Sequence, residues 1–232
     1  MMSADYFDFK MALSFAMKAD MPRKRFDNHT EFPYHITARC INRDWFAIEL
    51  NEVWDVMTKH LLFISLAYEI RIHAFVLMNN HFHLIATSPL GNLSEAMWHF
   101  MRESGLDLRK ISGRINQTYG GRFHRSLINS PLYFQHAYKY VYRNPVEAGL
   151  CAKVEDYPYS SLRGLLGLSS LDISIKDDDF WGSFDKRESA LHWLNARPQH
   201  EHWLAVEKAL SYSHFKLRRE NARKSILETN AL

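Results

Sequence analysis

An asparagine pair between two apolar stretches constrains the fold of this chain more than any other feature. Residues 74–87 read Ala-Phe-Val-Leu-Met-Asn-Asn-His-Phe-His-Leu-Ile-Ala-Thr. Asparagine tolerates the left-handed backbone that a tight turn demands, so the segment predicts a two-stranded hairpin that turns at Asn79 and Asn80. Side chains alternate between the faces of a strand, so His81 and His83 share one face of the predicted sheet.

These two histidines are candidates for a metal site, because two imidazoles on one face of a rigid strand can share an ion. The chain has 13 histidines in 232 residues, so about one His-x-His is expected by chance. A second such triplet, at residues 200–202, lies in a segment with helical spacing, where residues two apart do not share a face. The strand context therefore favours His81 and His83, whereas the spacing alone decides little.

The composition is typical of an intracellular globular protein, and we expect a cytoplasmic one. Hydrophobic residues make up 47% of the chain and charged residues 24%. No apolar run approaches the roughly 20 residues needed to span a membrane, and the first 20 residues lack the basic start of a secretory signal. Two cysteines are too few for a disulfide framework. The net charge of +3 and the pI near 8.8 permit a nucleic-acid partner without demanding one.

Hydrophobic periodicity predicts an α+β fold of the ferredoxin-like, split βαβ type. The order strand, helix, strand, strand, helix, strand gives an antiparallel sheet with both helices on one face. The other face is then free to carry chemistry, and the two histidines would have to lie there. The predicted strands cover residues 34–40, 68–78, 81–88 and 122–129, and the predicted helices cover residues 49–66 and 93–111.

A third predicted helix, over residues 131–144, carries a second set of polar residues. Tyr140 and Asn144 are four residues apart and share a helix face, with His136 one turn earlier. The helix is expected to end near Asn144, because a proline disfavours helical backbone in the residue before it. Two plainer interpretations stay open, in which Tyr140 is a buried helix tyrosine and Asn144 is only the helix C-cap.

Four motifs, taken in order, resemble those of one known family. In chain order they are Pro33-Tyr34-His35-Ile36-Thr37 at the first strand, Asn80-His81-Phe82-His83 after a strand, Tyr140-Val141-Tyr142-Arg143-Asn144-Pro145-Val146-Glu147-Ala148-Gly149-Leu150 on a late helix, and Asp156-Tyr157-Pro158-Tyr159-Ser160-Ser161. With this order and spacing, residues 22–167 resemble the one-tyrosine HUH transposases, and most of all the REP-associated tyrosine transposases.

The resemblance implies a specific chemistry for the named residues. His81, His83 and Asn144 would hold a divalent cation, Mg²⁺ or Mn²⁺, which polarises the scissile phosphate. Tyr140 would attack the phosphorus, leaving a phosphotyrosine on the 5′ side and a free 3′-hydroxyl. A phenol has a pKa near 10 and needs help as a nucleophile, which His136 or Lys139 would give.

The resemblance also implies partners and a domain division. The substrate would be single-stranded or hairpin DNA of the REP type, and the protein would act as a monomer or as a homodimer. We expect residues 1–21 to form an N-terminal arm, residues 22–167 the catalytic domain, and residues 168–232 a helical, basic extension. DNA contacts are expected from two basic clusters and from a partial match to a Phe-x-x-Arg stretch of the family, comprising Arg23, Lys24, Arg25, Arg122, Arg125, Arg218, Arg219 and Arg223.

One departure from the family pattern and three rival functions stand beside this interpretation. The family usually has proline where this chain has Asn79, a change expected to alter the turn and not the ligands. The rivals are a domesticated protein that holds hairpin DNA without cutting it, a replication initiator or relaxase, and a metal phosphohydrolase acting on small molecules. Histidines that precede the tyrosine favour the transposase, since many relaxases place the tyrosine first.

Overall fold

The computed structural model describes residues 28–175, 187–217 and 225–232. Its four strands form one antiparallel sheet in the order β2-β3-β1-β4, which confirms the α+β, ferredoxin-like prediction. The strands are β1 (Tyr34–Arg39), β2 (Arg71–Leu77), β3 (His81–Thr87) and β4 (His124–Leu127). The helices are α1 (Leu50–Ala67), α2 (Leu93–Ser112), α3 (Pro131–Glu147), α4 (Leu162–Leu165), α5 (Arg187–Asn195) and α6 (His200–Leu210).

One face of the sheet packs against α1 and α2, as the apolar periodicity of those helices requires. Ile36, Phe82 and Leu84 point from the sheet into this core and are fully buried. Met57 of α1 and Phe100 of α2 close it from the helical side. Burying side chains of this size contributes roughly 1.5–3 kcal/mol each, so this layer fixes the orientation of both helices on the sheet.

The opposite face is covered as well, which differs from the expectation of an open surface. Ala74, Val76 and Ile85 of the sheet share a second core with α3, α5 and α6. Val141 of α3 and Val206 of α6 are fully buried there. The predicted helices of the C-terminal segment therefore lie on the same core as α3. The boundary at residue 167 stays a prediction.

Helix α3 is longer than its sequence predicts. Ser130 caps its start by accepting a hydrogen bond from the backbone N–H of Tyr133, and the helix continues through Pro145 to Glu147. The prediction of an end near Asn144 is wrong, because Pro145 disturbs the helix only locally and the turn after it still forms. Gly149, at φ +72°, follows the C-cap. Asn144 is therefore an interior helix residue, and the C-cap interpretation is wrong.

Two local predictions about the second strand also need correction. β2 begins at Arg71 and not at Tyr68, because Glu69 adopts a left-handed backbone at φ 55° directly after α1. The hairpin between β2 and β3 is present, but its asparagines are not left-handed. The non-glycine residues with positive φ in the described ranges are Asn42, Arg43 and Glu69. Asn79 and Asn80 instead offer their carbonyls to the loop after β1.

Within the described ranges, no helix is both long and apolar enough to cross a membrane.

Candidate active site

Strand register brings three histidines together on the face that α3 covers. Thr37 pairs with His83 and Arg39 pairs with His81 across the β1–β3 ladder. His35 is two residues before Thr37, so its side chain lies on this same face. His35 and His83 are 2% and 5% exposed. The shared face predicted for His81 and His83 is therefore present, with a third imidazole behind it.

The two predicted ligands are spaced to share one ion. The Nε2 atoms of His81 and His83 lie 3.2 Å apart. Two imidazole nitrogens bound at about 2.0–2.1 Å to one ion, at angles between roughly 90° and 110°, lie roughly 2.9–3.4 Å apart. The donor pair therefore has the spacing that a shared divalent cation requires.

The hydrogen-bond partner of His81 fixes its tautomer. The side-chain nitrogen of Asn80 donates to the carbonyl of Arg43 at 2.8 Å, so its oxygen Oδ1 faces His81. That oxygen lies 2.7 Å from His81 Nδ1, which must then carry the proton. The Nε2 atom of His81 is left with an unshared electron pair directed at His83. This arrangement is the one in which a ligating histidine is usually held.

Burial keeps these imidazoles neutral, which is the form that binds metals. Loss of solvation, with a smaller contribution from Arg39, lowers the pKa of His81 to about 4. Burial likewise lowers the pKa of His35 to about 3. The pKa of His83 lies well below its ordinary 6.5 for the same reason, with the neighbouring imidazoles adding to the effect. No protons need to be displaced from charged imidazoles at neutral pH.

Helix α3 places Tyr140 over the histidines. Its ring lies 5.7 Å from that of His83 and 6.3 Å from that of His35, centroid to centroid, edge to face in both cases. Burial raises the pKa of its phenol to about 12, and a hydrogen bond from Asn144 opposes that rise. The Tyr142 hydroxyl is directed elsewhere, 2.9 Å from Ser161 Oγ. The structure thus joins the predicted nucleophile and the predicted ligand pair within one chain.

Asn144 lies one turn after Tyr140, partly buried, and donates from its side-chain nitrogen to the Tyr140 carbonyl at 3.3 Å. Its oxygen Oδ1 is the atom of this amide that is able to bind a cation. In the described part of the chain, no group of three or more His, Cys, Asp or Glu side chains is arranged to hold a metal ion. The amide oxygen of Asn144 as a third protein ligand beside His81 and His83 stays a prediction.

The two helpers suggested for the phenol are directed away from it. The Nε2 atom of His136 lies 2.8 Å from the Leu227 carbonyl, and its Nδ1 accepts from the Leu232 backbone N–H at 3.2 Å. Lys139 donates to the Leu232 carbonyl at 2.8 Å, and burial lowers its pKa to about 8. Both side chains therefore hold the C-terminal residues against α3 and do not serve Tyr140.

A tryptophan of α6 covers the Tyr140 ring. Trp203 stacks on Tyr140 with centroids 4.6 Å apart and an interplanar angle of 30°. Tyr140 is 7% exposed as a result. Glu207, one turn after Trp203, adds a small electrostatic contribution that raises the Tyr140 pKa further. The buried-tyrosine interpretation is thus correct about burial, and the ring is buried against the candidate metal ligands.

Comparisons with known proteins bear on the fold. No protein-family model and no curated protein matches the chain. Among solved structures it is similar to a REP-associated tyrosine transposase bound to a REP hairpin, with a TM-score of 0.53 and 22% identity, over 69% of this chain and 95% of that one. The chain has the fold of that transposase. A presumptive transposase from Deinococcus radiodurans R1 is also similar, with a TM-score of 0.37 and 14% identity, over 51% of this chain and 95% of that one.

This fold likeness confirms, for the fold, the resemblance found in the motifs.

The basic residues predicted to contact DNA divide into three groups. Arg122 is exposed after α2. Arg125 is 5% exposed, with its guanidinium 5.5 Å from the Tyr34 ring and 3.3 Å from Asn28 Oδ1, so it is not presented to a DNA backbone. The remaining six, Arg23, Lys24, Arg25, Arg218, Arg219 and Arg223, lie outside the described residues, as does the N-terminal arm.

Two residues of the site were missed by sequence reasoning. His35 lies in a motif that was recognised, yet it received no role, because its neighbour His83 is 48 positions away in the chain. The signal that could have found it is the alternation of side chains along β1, which puts His35 on the same face as Thr37. Trp203 lies in a predicted helix, and no sequence signal connects that helix to Tyr140.

Proposed function

We propose that this protein is a metal-dependent enzyme that nicks and joins single-stranded DNA, in the manner of a tyrosine transposase. One observation carries the proposal: the Tyr140 ring lies against a pair of neutral histidines whose Nε2 atoms are 3.2 Å apart. A phenol beside a cation site is an arrangement suited to phosphoryl transfer. The fold likeness to a REP-associated tyrosine transposase supports the same conclusion.

His81, His83 and Asn144 would hold the cation, Mg²⁺ or Mn²⁺, which when bound supplies charge stabilisation to the scissile phosphate. The chain's own residues orient that site. Asn80 holds His81 in the ligating tautomer, and Asn144 donates to the carbonyl of Tyr140, one helical turn earlier. Imidazole nitrogen is a softer donor than the oxygens that Mg²⁺ prefers, so Mn²⁺ suits this donor set better.

In the proposed reaction, the Tyr140 oxygen forms a bond to phosphorus and the bond from phosphorus to the 3′ oxygen breaks. The phenolic proton is lost and the departing 3′ oxygen gains one, so the net products are a 5′-phosphotyrosine and a 3′-hydroxyl. The energy of the phosphodiester bond is kept in the new ester, and rejoining needs no nucleotide cofactor. Because burial holds the phenol neutral, with a pKa of about 12, the proton has to leave as the new bond forms.

The substrate we propose is hairpin DNA with a single-stranded flank. The similar solved transposase is bound to a REP hairpin. Both halves of this candidate site come from a single chain, since Tyr140 contacts His83 and His35 of its own sheet. This supports a monomer as the functional unit and makes exchange of helices in a homodimer unnecessary.

A second function is favoured by one observation. Trp203 covers the Tyr140 ring, so a protein fixed in this arrangement would hold hairpin DNA without cutting it. Incubation with a labelled single-stranded hairpin and Mn²⁺ separates the two. The enzyme gives a covalent adduct that survives denaturation and maps to the peptide with Tyr140, and an upstream fragment whose 3′-hydroxyl a polymerase extends. Hairpin binding with no adduct in Mn²⁺ or Mg²⁺ would contradict cleavage and favour the binding protein.

A further inference from the structure

Three histidines of the candidate site form a hydrogen-bonded row that ends beside a serine. His81 Nε2 lies 3.2 Å from His83 Nε2, and His83 Nδ1 lies 2.9 Å from His35 Nε2. Strand β4 follows next to β1, and Ser126 is its residue that pairs with His35 across the ladder. Directly opposite residues of a ladder project to the same face of the sheet, so the Ser126 side chain neighbours the His35 ring.

Both side chains at the end of this row are deeply buried. His35 is 2% exposed and Ser126 is 0% exposed. Within the described residues, His35 Nδ1 and Ser126 Oγ have no hydrogen-bond partner. Leaving a buried polar atom unpaired is costly, and here two such atoms lie on facing residues. The pair therefore makes a polar site that a small hydrogen-bonding group would fill.

The cross-strand spacing of this pair suits one water molecule. The Cβ atoms of directly opposite residues lie about 4.5–5.5 Å apart. Two polar atoms that share a bridging water lie roughly 4.5–5 Å apart, since each hydrogen bond is about 2.8 Å long. A buried water needs about two to four polar partners, and the nitrogen and the hydroxyl of this pair both qualify.

The direction of the hydrogen bonds along the row follows from its first member. Asn80 Oδ1 accepts from His81 Nδ1, so His81 Nε2 carries an electron pair. The 3.2 Å contact is then a hydrogen bond only when His83 donates from Nε2. His83 Nδ1 in turn accepts from His35 Nε2, which leaves an electron pair on His35 Nδ1. In this direction the group at Ser126 has to donate.

A cation held by His81 and His83 reverses that direction. A ligating Nε2 atom carries an electron pair, so His83 then holds its proton at Nδ1. His35 accepts at Nε2 and holds its own proton at Nδ1. Both imidazoles stay neutral, because the proton lost at His83 Nε2 is balanced by the one gained at His35 Nδ1. In this direction the group at Ser126 has to accept, and a hydroxyl or a water is able to do both.

We propose that Ser126 is a positioning residue for the cation site and that it holds one ordered water against His35 Nδ1. The proposal rests on the cation site of the proposed function. In the cation-bound direction, the water accepts from His35 Nδ1 and donates to Ser126 Oγ, which keeps His83 in the ligating tautomer. Because the hydroxyl and the water can also donate, the row reverses without leaving a buried polar atom unpaired.

Titration calorimetry with Zn²⁺ on the full chain measures the contribution of the hydroxyl. Zn²⁺ is diamagnetic and binds imidazole nitrogen, and His81→Ala shows which titration step belongs to the site. Ser126→Ala should weaken Zn²⁺ binding about 5-fold or more, since a buried N–H without an acceptor is tolerated less well than a buried acceptor without a donor. Ser126→Thr keeps a hydroxyl on the strand and should retain the parent affinity.

Ser104→Ala is the matched control, because it also removes a buried serine hydroxyl. Ser104 is 0% exposed on α2, and its Oγ lies 2.8 Å from the Tyr119 hydroxyl. This variant should bind Zn²⁺ with the parent affinity. Thermal denaturation checks that each variant is folded. If Ser126→Thr is unfolded, the comparison of Ser126→Ala with Ser104→Ala decides.

Chemical shifts of the ring nitrogens in ¹⁵N-labelled protein report the direction of the row. In EDTA, His35 and His83 should both hold their proton at Nε2, and with Zn²⁺ both should hold it at Nδ1. Tautomers that do not change with Zn²⁺ would overturn the proposal. So would equal Zn²⁺ affinities of the parent and Ser126→Ala, or equal losses in Ser126→Ala and in either Ser104→Ala or a folded Ser126→Thr. Each of these results leaves the cation site in place, whereas a parent that binds no Zn²⁺ would overturn the cation site and the role of Ser126 together.

Discussion

The Nε2 atom of His35 lies 2.9 Å from the Nδ1 atom of His83, and the two rings stack with centroids 5.1 Å apart. One proton lies between these nitrogens, and its position decides what the other nitrogen of His83 can do. When His83 donates from Nδ1, its Nε2 carries an electron pair and can bind a cation. His35 must then accept, so its Nδ1 carries a proton, and that atom is buried without a hydrogen-bond partner among the described residues. Cation binding and the tautomer of His35 are therefore coupled.

We expect the residue at position 35 to set cation affinity through its ability to accept a hydrogen bond. His35→Leu fills similar space without an acceptor and should weaken Mn²⁺ binding about 10- to 100-fold, as loss of such supporting partners does elsewhere. His35→Gln keeps an acceptor oxygen and should retain more of the affinity. Titration calorimetry measures both, and ¹⁵N chemical shifts of His83 report its tautomer directly.

The controls for this pair isolate the acceptor from the packing. His81→Ala removes a predicted ligand and should abolish binding at the site. His73→Ala removes another histidine of the sheet, whose Nε2 lies 2.8 Å from Thr87 Oγ1, and should leave affinity unchanged. Thermal denaturation checks that the leucine and glutamine variants at position 35 are both folded. Equal cation affinities of the two folded variants would show that the hydrogen bond to His83 has no part in cation binding.

Trp203 should control the acidity of Tyr140. The stacked indole excludes water from the phenol, and burial is the largest cause of its pKa of about 12. Trp203→Leu uncovers part of the ring while keeping an apolar residue in the core, so the pKa of Tyr140 should fall toward its ordinary value near 10. The phenolate would then form at lower pH than in the parent protein.

Tyrosine labelled with ¹³C at Cζ gives the measurement, because the chain has 11 tyrosines and absorbance would mix them. The Tyr140 signal is assigned by its absence in Tyr140→Phe. Trp98→Ala is the control, because Trp98 is 63% exposed on α2 and remote from the site. A Tyr140 pKa that is the same in Trp203→Leu and the parent would mean that the remaining neighbours, and not the indole, keep water from the phenol.

How far the sequence predicted this site depended on how local each relationship is. The common face of His81 and His83 follows from strand alternation over three residues, and the pairing of Tyr140 with Asn144 follows from one helical turn. The end of α3 lies beyond the predicted Asn144, because Pro145 does not stop a helix that its neighbours continue. The stack of Trp203 on Tyr140 joins segments more than sixty residues apart, where periodicity carries no distance information.

The same limit applies to the covered face of the sheet. The prediction of a free face did not use the apolar side chains of Val76 and Ile85, which lie on the face of the histidines and are buried in the second core. Which element covers them is a tertiary question. The apolar stripes of α3 and α6 fit several partners, and only the folded chain shows that Val141 and Val206 meet at this face.

The basic segment Lys216–Lys224 remains a prediction about DNA phosphates, since most of it lies outside the described residues. Leu217 within this segment is buried, at 4% exposure, so deleting the segment would remove a core side chain as well as charge. Replacing Arg218, Arg219 and Arg223 by glutamine removes three positive charges and keeps Leu217 in place. For every phosphate that an arginine no longer neutralises, the slope of log affinity against log salt should flatten by about 0.9 on duplex DNA and about 0.7 on single strands.

The matched control for this charge change is on α2, where Arg102, Arg109 and Lys110 are replaced by glutamine in the same way. Fluorescence anisotropy of the labelled hairpin at several salt concentrations gives both slopes. We expect a flatter slope for the C-terminal triple variant than for the control. Equal slopes in the two variants would show that the C-terminal charges face solvent and do not contact DNA phosphates.

Tyr140→Phe gives the sharpest test of the proposed chemistry. Phenylalanine keeps the ring that packs on His83 and Trp203 and removes only the attacking oxygen. The variant should bind the flanked hairpin with the affinity of the parent and form no covalent adduct with Mn²⁺. Tyr142→Phe is the matched control on the same helix, because it loses the hydrogen bond to Ser161 Oγ, worth about 1 kcal/mol of stability, and should still form the adduct. Denaturing gels score the adduct, and anisotropy scores binding. An adduct that persists in Tyr140→Phe would assign the nucleophile to another residue, since no other change has been made to the site.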